Sequence, residues 1–166
     1  ITVIDPSVNL VQDFTTLITR KQGKLIRNSW LEYLKALPDN GVLVLDFSTI
    51  FGVDHSFVAE VLAQVLKQIR DGKHGNRHLV AVNFDLSRLN PSFNEELLSM
   101  NVNLLVFDKS ERPIWLGISD IEVKNTLDLI YLTGKETPEH LQLLLNTDRK
   151  KIDDIIRYLY DTRFIS

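Results

Sequence analysis

The sequence has no cysteine among its 166 residues. That absence excludes a disulfide scaffold, a thiolate metal site and a cysteine nucleophile, and it makes a reducing cytoplasm the expected compartment. No run of about 18 apolar residues occurs, the length a spanning helix needs, so no membrane contact is expected. An excess of one charge is lacking too. The formal net charge is only −3, with acids and bases mixed along the chain. A dedicated nucleic-acid binder usually carries a basic stripe, because phosphate neutralisation supplies much of its affinity, so any DNA contact here must be local. Glycine is sparse, and Gly23, Gly41, Gly52, Gly72 and Gly75 stand singly. They mark turns and do not form a phosphate-cradling loop. Methionine does not open the chain, and Ile1 reads as the start of a processed or trimmed fragment.

What is present is the composition of a globular protein. Hydrophobic residues make up 44% and charged residues 25%, enough to bury a core in one domain with a small appendage. Ile1–Ile4 reads as a short strand closed by Asp5-Pro6-Ser7, and residues 9–19 as a second strand or an irregular approach. From Lys21 the period becomes helical, with Leu25, Ile26, Trp30, Tyr33, Leu34 and Leu37 on one stripe and Pro38-Asp39-Asn40-Gly41 as its stop. Val42–Phe47 is apolar almost throughout, the pattern of a strand buried on both faces. A second helix is expected from about Ser56 to Asp71-Gly72, then strands at 79–84 and 102–107 with a short helix near 94–100 between them. Asp108–Arg112 reads as a turn and Pro113–Ile118 as an antiparallel return. The alternation predicts an α/β layer, a mixed sheet with helices packed on it.

From Ser119 onward strand signals vanish except at the last few residues. A helix through Ile121, Val123, Leu127, Ile130 and Tyr131 stops at Thr133-Gly134. Thr137-Pro138-Glu139 restarts it with a capping hydroxyl and proline at the first helical position, and Asn146 suits a left-handed terminus. Thr147 is the expected cap of a third helix carrying Ile152, Ile155, Ile156 and Leu159 inward. We therefore expect two domains, 1–118 and 119–166, the second a helix-turn-helix unit.

Two resemblances sharpen this reading. Val44-Leu45-Asp46-Phe47-Ser48, followed by Asp54-His55-Ser56-Phe57-Val58-Ala59-Glu60, resembles the signature of STAS-like domains, the family around bacterial anti-sigma factor antagonists. Arg20–Arg27 resembles that group's first helix. The likeness covers roughly residues 15–118 and implies a non-catalytic binding module. It places the family's phosphorylated serine on Ser56, although Asp54-His55 stand where serines are common and Phe57 where the phosphorylated class has glycine. Asp54, His55, Phe57 and Glu60 are then partner-docking candidates, and a serine kinase or anti-sigma-type ATPase is the implied protein partner. Thr137–Ser166 resembles the core of winged-helix regulators, truncated, with Arg163 where glycine is usual. That likeness makes Arg149, Lys150, Lys151 and Arg157 candidate DNA contacts.

Each reading has a plainer competitor. Ser56 as a simple helix cap is the preferred reading of that position, although a phosphate there would meet unpaired N–H groups and change the local charge by nearly −2. Asp46, His55 and Ser56 hold the residue types of a hydrolytic triad, but adjacent His55 and Ser56 fit its geometry poorly and no nucleophile elbow is present. His74 and His78 read as solvated loop histidines without a carboxylate to complete a metal set, and His140 as a surface residue. Phe47, Phe51 and Phe57 read as core. Beyond residue 118, seven basic residues face nine acidic ones, which suits a solvated helix face with ion pairs such as Lys150–Asp154. The expectation is a cytoplasmic bacterial regulator, neither enzyme nor cofactor protein, acting through protein–protein contact. The alternative is a transcriptional regulator whose C-terminal helices bind DNA, and a homodimer is open in either case.

Overall fold

The computed structural model describes residues 2–4, 16–17, 20–50, 52–53, 55–85, 87, 92–134 and 136–164. The expected turn at 5–7, most of 9–19, Phe51, Asp54 and the last two residues lie outside the described residues. The chain divides into two compact units, Ile1–Gly117 and Ile118–Ser166.

Unit 1 is α/β. Its main sheet has the order β1 (Thr2–Ile4), β3 (Val42–Asp46), β5 (His78–Phe84), β6 (Leu104–Asp108), β7 (Pro113–Leu116). The first four strands run parallel and β7 returns antiparallel beside β6. A second, two-stranded sheet pairs β2 (Thr16–Leu17) with β4 (Gly52–Val53) in parallel. The crossovers are helical: α1 (Arg20–Ala36), then α2 (His55–Phe57) continuing through a π-helical turn (Val58–Leu62) into α3 (Ala63–Arg70), then α4 (Ser92–Ser99).

The strands alternate in burial. Leu43, Leu45, Leu79, Ala81, Leu104 and Val106 are buried in one cluster with Ile26, Trp30 and Leu34 of α1, Phe57, Val61, Leu62, Val65 and Ile69 of the second crossover, and Phe93 and Leu97 of α4. Val42, Val44, Val80, Val82 and Leu105 on the opposite face are only half-buried. The sheet is thus not buried evenly on both faces, contrary to the reading of Val42–Phe47. The helices gather on one side, where α1 and α4 both pack on the π-helical turn, and β-branched residues on the other side keep the run apolar.

Helix ends follow local chemistry. Asn40 takes a positive φ of 58° after α1, and Gly41 N–H donates to the Pro38 carbonyl at 3.0 Å. Gly117, with φ of 78°, leaves β7 so close to the preceding strand connection that a Cβ there would lie 2.0 Å from the Val102 carbonyl oxygen. Only glycine fits both constraints.

In the turn after α3 the structure departs from the sequence reading. His74 is 4% exposed, not solvated. Its Nε2 lies 3.4 Å from Gln68 Oε1, and its Nδ1 has no partner among the described residues. The turn is pulled inward by Arg77, whose guanidinium donates to the Leu37 carbonyl at 2.8 Å and to the His74 carbonyl at 2.9 Å. His78 belongs to β5 and is half-buried.

Unit 2 is three helices, α5 (Ile121–Thr133), α6 (Pro138–Leu145) and α7 (Arg149–Asp161), with no strand among its described residues. Its core is Ile118, Val123, Leu127, Leu141, Ile152, Ile155 and Leu159. Each helix is capped by a side chain: Asp120 accepts from Glu122 N–H, Thr137 from His140 N–H, and Asp148 from Lys151 N–H. Asp148, not Thr147, is therefore the third cap. Asn146 adopts the left-handed conformation at φ 48°, ψ 46°, as its short amide permits.

Two tests address this architecture. Gly117→Ala is expected to cost at least about 1–3 kcal/mol from the backbone alone, before the carbonyl clash is added, read by chemical denaturation. For His74, burial first, then Lys35, Arg77 and Lys73, hold the imidazole below its ordinary value of 6.5. The folded state therefore binds fewer protons than the unfolded chain. This contribution is complete above the unfolded value and is lost as pH falls below it. The stability decline between about pH 7 and pH 5 should flatten in His74→Gln.

Candidate functional site

The carboxyl ends of parallel strands are where α/β sheets commonly place ligands and partners, and three adjacent strands here end alike. Asp46-Phe47-Ser48, Asp85-Leu86-Ser87 and Asp108-Lys109-Ser110 close β3, β5 and β6. In each, the aspartate Oδ1 accepts from the serine N–H two residues on, at 2.9, 3.1 and 2.7 Å. These are Asx turns, in which the side chain stands in for the backbone where the ladder ends. The threefold Asp-x-Ser after an apolar run was present in the sequence and is the signal that would have assigned these carboxylates to structure.

Their electrostatics agree. Burial pushes the Asp46 carboxyl up, but hydrogen bonds from Asn83 and Ser48 outweigh it and hold it below the ordinary carboxylate value. Asp85 is held down first by the Ser87 hydroxyl at 2.6 Å and then by Lys109, and Asp108 by the Arg112 backbone and guanidinium. Asn83 itself sits at φ 57°, where the register between β5 and β6 shifts. That bulge turns its amide toward Asp46, to which Nδ2 donates at 2.8 Å.

Beyond β4 lies the start of α2. His55 is exposed, and its Nε2 stands 3.6 Å from Glu96 Oε2 on α4. Ser56 is the second residue of the helix and half-buried, so it is not the residue immediately before the helix, where a cap would sit. Phe57, read as a docking contact, is 1% exposed and meets Trp30 edge-on at a centroid distance of 5.9 Å. It supports the surface from beneath, since its ring is not open to a partner. Glu60 lies in the π-helical turn, whose carbonyl accepts from Arg27 Nη1 at 3.1 Å.

The π-helical turn explains that bond. Ala63 N–H reaches back to the Val58 carbonyl, five residues away, which opens the ladder by one residue and displaces neighbouring carbonyls from regular partners. Arg27 fills the gap from α1. Gly23 lets α1 come close enough, because a Cβ there would lie 2.9 Å from Val61 Cγ2.

The chain matches no family model, no curated protein and no solved structure. What the site can do therefore rests on its own geometry. His55 faces Glu96 and Asp46 is held by Asn83 and Ser48, so the structure does not assemble Asp46, His55 and Ser56 into a relay. Among the described residues no group of three or more acidic or histidine side chains can hold a metal, and no helix is long and apolar enough to cross a membrane.

In unit 2 the four basic candidates separate into two kinds. Arg149 Nη1 pairs with Glu139, and its Nε donates to Asp153 at 2.9 Å. Lys151 pairs with Glu122 of α5. Hydrogen bonds donated to these acids hold both bases above their ordinary values, first to Glu139 for Arg149 and to Glu122 for Lys151. Lys150 and Arg157 are exposed, and the expected Lys150–Asp154 pair is replaced by Arg149–Asp153 one position earlier. His140 is exposed beside Glu136.

Asp46→Ala removes the acceptor shared by Asn83 and Ser48. We expect a loss of about 1–3 kcal/mol, with faster amide exchange at Ser48. In the wild type the stabilisation from Asp46, Asp85 and Asp108 is present above the unfolded carboxylate value near 3.8 and is lost as pH falls through their lower folded values.

Proposed function

We propose that this chain is a bacterial cytoplasmic regulatory module that acts by binding a protein partner, with unit 1 a STAS-like domain and the start of α2 its docking site. The observation that carries the reading is the contrast at that helix start. His55 and Ser56 reach the surface while the next side chain, Phe57, is locked in the core against Trp30. An exposed histidine beside a half-buried serine on so firmly seated a helix is preorganised, and preorganisation lowers the cost of association.

The same site accepts regulation by charge. A phosphate on Ser56 would add nearly two negative charges beside the His55–Glu96 pair. It would compete with Glu96 for His55 and gain from the helix N-terminal dipole. A serine kinase or an anti-sigma-type ATPase is the partner class that the resemblance of residues 44–60 implies.

Winged-helix DNA binding by unit 2 has weaker support. Two of the four candidate cations are engaged by acids of the same unit, and affinity for phosphates depends on uncompensated charge.

The deciding experiment captures partners on the tagged chain with and without nuclease and compares Ser56 variants. Ser56→Asp should change capture of a kinase-like or sigma-related protein about tenfold, equivalent to roughly 1.4 kcal/mol, whereas Ser56→Ala should not mimic it. Unchanged capture by both variants would sink the switch. Recovery of nucleoid proteins alone, lost on nuclease treatment and weakened by Arg149→Ala and Lys150→Ala, would favour DNA binding instead.

A further inference from the structure

The exposed face of α7 carries an alternating row of charges. Lys150, Asp154, Arg157 and Asp161 follow at i, i+4, i+7 and i+11, so they form one stripe. All four are exposed, and the stripe lies opposite the buried Ile152, Ile155 and Leu159. Among the described residues none of the four has an ion-pair partner, although Arg149, Lys151 and Asp153 beside them do.

The Asp148 cap sets a carboxylate at the positive end of α7. The first turn holds no acidic residue and the last turn no basic one. Glu139 and Glu122 pair with Arg149 and Lys151, which leaves Lys150 in the first turn and Asp161 in the last without an ion-pair partner among the described residues.

We infer that the exposed stripe of α7 is a two-fold interface with a second copy of this chain, the two α7 helices lying antiparallel. Numbering makes the complementarity explicit. An antiparallel pair centred between residues 155 and 156 sets Lys150 against Asp161 of the second copy and Asp154 against Arg157 of the second copy. The two-fold repeats both pairs, so every charge in the stripe meets its opposite. Lys150 and Asp161, near opposite ends of α7, thereby each meet an opposite charge, and the two helix dipoles oppose one another. Tyr160, 65% exposed, shares a flank with Arg149 and Asp153 at spacings of eleven and seven. The same rotation brings its ring to that ion pair on the second copy, where an aromatic face suits a guanidinium. No other class of partner is specified by the charge order, because a generic acidic or basic surface would match only half of it. This interface is separate from docking at Ser56 and stands or falls independently of it.

The test uses the full chain in sedimentation equilibrium. At low salt the mass should rise from 19.1 kDa towards twice that value with concentration. It should return as salt goes from about 0.01 M to about 1 M, where the screening length shrinks from about 30 Å to about 3 Å. Asp154→Arg and Arg157→Glu should each weaken self-association by about tenfold or more, because each turns two attractive contacts into two repulsive ones. Mixed in equal amounts, the two variants should associate with one another. The introduced arginine of one chain then faces the introduced glutamate of the other, and the unaltered Arg157 of the first faces the unaltered Asp154 of the second. Unchanged circular dichroism establishes that both variants keep their helices. A wild-type chain that stays single at every concentration, a dimer indifferent to either reversal, or a mixture that fails to associate would each overturn the assignment. Ser56→Asp should leave self-association unchanged, which separates this result from partner docking.

Discussion

Phe57 lies edge-on to Trp30 with the ring centroids 5.9 Å apart, and both rings are almost wholly buried. Everything displayed at the start of α2 depends on that contact. Burying two aromatic side chains contributes several kcal/mol, far more than any exposed polar contact nearby. Gly23 and Arg27 then lock the neighbouring turn onto α1, one by close approach and the other by holding the Glu60 carbonyl. The π-helical turn is thus supported from outside its own helix. With α1 anchored on one side and α4 on the other, His55 and Ser56 have little freedom to move except as side chains.

The carboxyl ends of the central strands are held by a different set of bonds. A row of aspartates at the ends of parallel strands invites comparison with a ligand site. Here each carboxylate already accepts two or more hydrogen bonds, from a serine two residues on and from Asn83, Lys109 or Arg112. A carboxylate so engaged is a poor base and a poor cation ligand, because either role would have to break bonds that hold the strand end. The exposed group, His55, comes from the following helix, with the half-buried Ser56 beside it.

How far the sequence was legible follows from the range of the physics involved. Alternation of apolar runs with helical stripes is local, and it was enough for an α/β class with a mixed sheet. Thr137-Pro138 and Asn146 are equally local, and their cap and left-handed geometries match the chain's own preferences. Choosing Thr147 over Asp148 erred by one residue, because either side chain can cap and only the path of the turn decides. The π-helical turn was invisible, since it depends on Gly23 and Arg27, more than thirty residues away. His74 misled for a similar reason. Two glycines and an asparagine around it describe a turn correctly, but Arg77 reaching to Leu37 draws that turn against α1 and buries the ring. Phe57 was read correctly as core and wrongly as a contact, two roles that its 1% exposure makes exclusive.

The charges of unit 2 bear on what kind of partner such a chain can hold. Phosphate backbones reward cations that no neighbouring acid offsets, because release of counterions supplies the affinity. On α7 the bases either pair within the unit or alternate with Asp154 and Asp161 along one stripe. Alternation cancels the long-range field that would draw in a polyanion, while at contact distance it specifies order and direction. Such a pattern is poor at attraction and good at discrimination. Discrimination of that kind suits one matching order of charges, where a basic patch exerts an indiscriminate pull.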